Sequence, residues 1–151
     1  METSIAITSP AFTDNAAIPA RYTCSGADVP APLVWSGVPG GAQSLAVTVI
    51  DPDAPGKPFV HWLVFNLPAS AMGLPEAGPP PDRSVQGRND FGSLGYRGPC
   101  PPPGSPHHYH FKLYALDTTL ALPSGAAESV FQDAIKGHVL ATGELVGTFK
   151  R

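Results

Sequence analysis

The chain has 151 residues, with nine Lys and Arg against twelve Asp and Glu for a formal net charge of −3. One domain of this length, spanning 1–151, buries about two-thirds of its unfolded surface and can hold a core without a metal. The acidic balance leaves no basic stripe to neutralise a phosphate backbone, which excludes nucleic acid as an expected partner. Charged residues at only 14% argue against a charge-driven disordered chain. Proline (19) and glycine (16) are in excess, so long-helix bundles and coiled coils are excluded as well.

The amino terminus, Met1-Glu2-Thr3-Ser4, carries neither the basic nor the apolar region of a signal peptide. No apolar run reaches the ~18–20 residues of a membrane span, so stable membrane insertion is not expected. A cytoplasmic location is the resulting expectation. Cys24 and Cys100 are then expected as free thiols, with a disulfide between them as the alternative.

Short runs rich in β-branched and aromatic residues recur along the chain, at 4–8, 21–24, 33–36, 44–50, 59–67, 107–116 and 138–149. Pro, Gly and Asp separate them, the pattern of antiparallel strands. Residues 68–106 hold ten of the nineteen prolines and seven of the sixteen glycines. That stretch reads as a stiff loop with a short strand around 94–96, suited to lining a pocket. One helix is predicted over 125–136, with Val130, Phe131, Ala134 and Ile135 on one face and Gly137 as its stop. The fold class is mainly β: two packed antiparallel sheets with one short α-helix near the carboxy terminus.

Three polar clusters lie at the ends of apolar runs. Leu45, Val47 and Val49 alternate into Asp51 and Asp53, with Pro52 and Pro55 framing a tight turn. An Asx turn that caps its own backbone explains an isolated Asp-x-Asp as well as any ligand site does. His61 keeps phase with Leu63, Phe65 and Leu67 in a strand apolar on both faces, so it is expected to be buried and to need a partner such as Asp51 or Asp53. In 107–116, parity puts His107 and Tyr109 on the face shared with Phe111, Leu113 and Ala115, and His108 and His110 on the opposite face.

These residues suit some chemistries better than others. No inward His-x-His or His-Glu-x-x-His spacing supports a metal, and no cofactor is expected. No Gly-x-Ser-x-Gly elbow or Gly-rich nucleotide loop is present. An enzyme is therefore not expected, although Asp51, Asp53, His61 and His107 would supply a metal-assisted hydrolase if one were built here. Protonatable His, a Tyr hydroxyl and loop N–H groups are natural donors to an oxyanion.

The order Asp51-Pro52-Asp53-Ala54-Pro55, His61-Trp62, Gly98-Pro99-Cys100-Pro101-Pro102 and His107-His108-Tyr109 followed by 111–117 resembles the phosphatidylethanolamine-binding protein family. The likeness is to its bacterial and archaeal, Raf-kinase-inhibitor-like branch, and extends over 12–36 and 137–147. The resemblance implies a two-sheet β fold with a small anion pocket. Matched motif by motif, the ligand-binding residues would be Asp51, Asp53, His61, Gly98, Pro99, His107 and Tyr109. The expected function is binding of phosphate or a small phosphorylated ligand. Inhibition of a protein kinase or serine protease is the alternative the resemblance implies, and a homodimer is a further candidate assembly.

Overall fold

A computed structural model describes residues 3–151. In chain order the strands are β1 (Thr3–Ser4), β2 (Ala6–Thr8), β3 (Leu33–Ser36), β4 (Ser44–Asp51), β5 (Phe59–Pro68), β6 (Gly73–Leu74), β7 (Val85–Gln86), β8 (His107–Leu116) and β9 (Val139–Phe149); the helix α1 spans Glu128–Ile135. A six-stranded sheet runs β1-β9-β8-β4-β5-β7, and a three-stranded sheet runs β2-β3-β6. Among the described residues the pairings between strands are antiparallel except that of β1 with β9. Among the described residues no helix is long and apolar enough to cross a membrane.

β4, β5 and the carboxy-terminal half of β8 are apolar on both faces because each face meets a different partner. On one side, Leu45, Val47, Val49, Trp62, Val64, Tyr109, Phe111 and Leu113 pack against Ile7, Leu33, Trp35 and Leu74 of the small sheet. On the other, Ala46, Leu63, Phe65, Tyr114 and Leu116 pack against Phe131 and Ile135 of α1. This second layer buries Tyr114 on the face of β8 that also carries the solvated His108. In α1 only Phe131 and Ile135 are fully enclosed, whereas Val130 is 46% exposed and falls outside the face the periodicity assigns it. Gly137, at φ 80°, takes the left-handed conformation that ends the helix.

Three local expectations are corrected. Residues 20–22 form a single 3₁₀ turn rather than a strand, because Tyr22 and Thr23 N–H donate to the carbonyls of Pro19 and Ala20. The 68–106 stretch pairs as the two-residue strands β6 and β7, and the expected strand at 94–96 is reduced to one bridge between Arg88 and Leu94. Finally, Cys24 and Cys100 are not free thiols but a disulfide. The 96–100 segment is docked on 20–28 by three hydrogen bonds: Cys24 N–H to the Pro99 carbonyl (3.1 Å), Tyr96 Oη–H to the Tyr22 carbonyl (2.6 Å) and Gly98 N–H to Asp28 Oδ1 (2.8 Å). These set the two Cα atoms 5.4 Å apart, inside the range a disulfide bridges.

The bond joins positions 76 residues apart, for which chain entropy predicts a stabilisation of roughly 4 kcal/mol. The Cys24→Ser/Cys100→Ser double variant should lose on the order of 2–5 kcal/mol in urea unfolding. Thiol titration of denatured, unreduced protein should find no free thiol; two titratable thiols would contradict the pairing.

Candidate functional site

Antiparallel pairing brings the end of β4 and the starts of β5 and β8 to one edge of the large sheet, with Asp51 opposite Phe59 and Ile50 opposite His110. A cavity of about 180 Å³ opens there. Its polar groups come from Asp51, His61, His107 and Tyr109, and its apolar walls from Pro55, Phe59, Phe91, Pro101 and Pro102.

Asp51 is buried, at 3% exposure, and both of its oxygens are engaged. Oδ1 accepts the Asp53 N–H at 2.8 Å, which makes the turn after β4 an Asx turn. Oδ2 lies 2.6 Å from His107 Nδ1, so the two strand ends are tied across the sheet. The structural and functional readings of this aspartate therefore coexist in one carboxylate. His107 keeps its Nε2 edge for the cavity.

His61 reaches the cavity through a break in register. Val49 pairs with Trp62 but Ile50 pairs with Val60, so His61 is the extra residue of a β-bulge. Strict alternation would put it with Leu63 and Phe65 on the helix-covered face. The bulge turns it instead onto the face of Trp62, where its ring meets Tyr109 edge-on at 5.3 Å between centroids. Its Nδ1 is 2.7 Å from the Arg97 carbonyl. A carbonyl only accepts, so Nδ1 carries the proton and Nε2 faces the cavity as a lone pair in the neutral ring. Burial pushes the imidazole below its ordinary range, with the Arg97 carbonyl and the Asp51 and Asp28 carboxylates opposing in part. The expectation of a carboxylate partner for His61 is thus corrected: a backbone carbonyl takes that place.

Tyr109 is fully enclosed, and its hydroxyl is the one buried side-chain polar atom without a hydrogen-bond partner among the described residues. Desolvation, with Asp51 and Asp53 nearby, raises its pKa far above the ordinary phenol value, so it stays protonated. A buried donor left unpaired costs about 1–3 kcal/mol, and Tyr109 lines the cavity, where a small acceptor would complete it.

The remaining expected residues surround the cavity without lining it. Asp53 lies on the outer side, where its carboxylate takes the His108 N–H (2.8 Å) and approaches His108 Nδ1 (2.7 Å). The hydrogen bond with the His108 side chain is the main cause that lowers its pKa, against a smaller opposing desolvation. His110 pairs with Glu144 at 3.3 Å, away from the cavity. Gly98 packs so tightly that a Cβ would lie 2.2 Å from the Tyr22 carbonyl oxygen, and Pro99 bonds back to Cys24. Both hold the wall, and the next prolines, Pro101 and Pro102, form it. The Arg97 guanidinium stacks on Phe91 at 4.8 Å and pairs with Asp28 at 3.5 Å, outside the lining. Among the described residues no three His, Cys, Asp or Glu side chains converge as a metal would require.

Sequence reasoning missed Phe59 and Phe91. Phe91 rides on a loop built around the buried Asn89, whose Oδ1 accepts the N–H groups of Phe91 and Ser93 and whose Nδ2 donates to Gly95 O. The turn-forming string Asn89-Asp90-Phe91-Gly92 was the available signal for an aromatic carried on a tight loop.

The family model described as phosphatidylethanolamine-binding protein matches residues 8–150. A UPF0098 protein of Methanothermobacter thermautotrophicus is 53% identical over 145 residues, covering 93% of this chain and 95% of that protein. The lipoprotein candidate LppC of Mycobacterium tuberculosis is 44% identical over 97% of this chain and 72% of its own length. Among solved structures, Escherichia coli YbcL, described as a member of the mammalian PEBP family, superposes with a TM-score of 0.92 at 36% identity, over 99% of each chain. The chain belongs to the phosphatidylethanolamine-binding protein family.

His61 makes a specific contribution to acid sensitivity. Its folded-state pKa lies below the ordinary value, so the unfolded chain takes up this proton first as pH falls. The associated stability is fully present above about pH 6.5 and is lost towards the lower folded value, at up to about 1.4 kcal/mol per pH unit. His61→Asn keeps a donor for the Arg97 carbonyl but does not titrate. Its thermal unfolding should therefore lose less stability than wild type between pH 7.5 and 5; identical pH profiles would refute a buried neutral ring.

Proposed function

We propose that the cavity binds a small oxyanion, phosphate or the phosphoryl group of a small ligand, with the Tyr109 hydroxyl and the His107 Nε2 edge as donors. The observation that carries this reading is the buried, unpartnered Tyr109 hydroxyl at the cavity wall. An anion beside Asp51 is tolerable because both carboxylate oxygens are already engaged, one by a turn N–H and one by His107. When protonated, His107 is held by the same Asp51 oxygen and presents its Nε2–H to the anion. Proline and phenylalanine walls exclude water and strengthen the few polar contacts that remain. At about 180 Å³ the cavity is smaller than the ~300–1,000 Å³ of drug-sized sites, which fits a phosphoryl headgroup and not an acyl chain.

The Cys24–Cys100 bond supports an oxidising compartment rather than the cytoplasm expected from the amino-terminal residues. The naming of one relative as a lipoprotein candidate supports the same setting.

Titration calorimetry with inorganic phosphate tests the binding reading. His107→Ala should weaken binding by about 1.5–3 kcal/mol, the order of a charge-assisted hydrogen bond, and His108→Ala should leave it unchanged. Tyr109→Phe should separate stability from binding: removing the unpaired hydroxyl raises the melting temperature of the ligand-free protein while weakening phosphate binding. Equal losses for His107→Ala and His108→Ala would reject the pocket.

A further inference from the structure

Resting on that reading, we infer that the site takes a phosphomonoester in its singly protonated form, with the ligand's own P–O–H donating to His61 Nε2. The geometry assigns each polar group one role. Tyr109 holds a proton it shares with no protein atom. His107 has Nδ1 committed to Asp51, and His61 has Nδ1 committed to the Arg97 carbonyl. The two histidines thus differ in what stands behind them. His107 stands against a carboxylate and, when protonated, donates from Nε2, whereas a neutral carbonyl behind His61 leaves Nε2 as an acceptor.

The surroundings of His61 keep it that way. Phe59 and Phe91 pack on its ring at centroid distances of 5.0 and 5.5 Å. The titratable groups around it are Tyr109 and His107 from β8, Asp51 from β4 and Asp28 from the segment before β3. Asp51 is occupied by His107, and Asp28 is occupied by the Gly98 N–H and the Arg97 guanidinium. Neither carboxylate touches the ring. A fully ionised phosphate oxygen would face a bare lone pair at Nε2, which is repulsive. A P–O–H there makes a hydrogen bond, while the remaining oxygens accept from Tyr109 and His107. The singly protonated monoester is therefore matched on all three sides, whereas a phosphodiester has no proton to give.

Calorimetry with methyl phosphate and dimethyl phosphate at pH 5.5 tests this directly. A phosphomonoester's second ionisation lies near pH 6, so at pH 5.5 both ligands carry close to one negative charge and differ in the hydroxyl. Methyl phosphate should bind about tenfold more tightly, the order expected when a buried acceptor is otherwise left unpaired. Its affinity should also fall more steeply than that of dimethyl phosphate between pH 5.5 and 8. In His61→Asn, which keeps the bond to Arg97 but lacks Nε2, the preference should shrink to within about twofold, on the same reasoning. Equal binding of the two esters by the wild-type protein would overturn the inference and leave the oxyanion site standing. A preference that persists in His61→Asn would overturn the assignment to His61. Binding of neither ester would overturn the inference together with the site.

Discussion

The Asp51 carboxylate is the constraint from which the site is built. It ends β4, closes the turn by accepting the Asp53 N–H, and meets His107 at the start of β8. One buried charge therefore fixes a turn and the mutual placement of two strand ends. Removing either partner would leave a buried carboxylate short of a hydrogen bond, the costly side of such pairings. Asp53 repeats the connection on the outer side through His108, where water screens it. The inner pair orients His107 at the cavity and the outer pair clips the same strands together.

The core supplies the second requirement, a dry wall. β4, β5 and β8 bury one face against the small sheet and the other against α1. Their ends are therefore rigid where the cavity opens. The bulge in β5 uses that rigidity, because one extra residue turns His61 onto the face of Tyr109 without disturbing the strand beyond it. A second irregularity lies further along β5, where Asn66 adopts φ 57° and its side chain bonds both N–H and C=O of Leu120. β5 is thus re-aimed at both ends while its middle stays in register with β4.

The outer wall is a loop held from several directions. The disulfide anchors Cys100, the Arg97 peptide bonds to His61 through both its N–H and its C=O, and Arg151 Nε donates to the Pro101 carbonyl at 2.6 Å. Prolines between these anchors have little backbone freedom to lose. The result is a preformed cavity whose apolar walls leave each polar atom with a single available role.

Much of this was legible in the residues. Period-two alternation located the long strands, and parity in 107–110 separated inward His107 and Tyr109 from outward His108 and His110, because side-chain direction in a strand follows position alone. The order of the Asp51–Pro55, His61, Gly98–Pro102 and His107–Tyr109 blocks supported the family. Other features depended on contacts between distant segments. Parity failed at His61, since a bulge is set by pairing with β4 and leaves no mark on the local pattern. The choice between thiols and a disulfide turned on whether residues 20–28 and 96–100 meet, a juxtaposition that spacing does not encode. The protonation state of His61 followed from the Arg97 carbonyl, a backbone group with no side-chain signature. Sequence determined which face each regular residue shows, because that is local geometry; tertiary structure decided partners, irregularities and proton positions, because those arise only where separate segments touch.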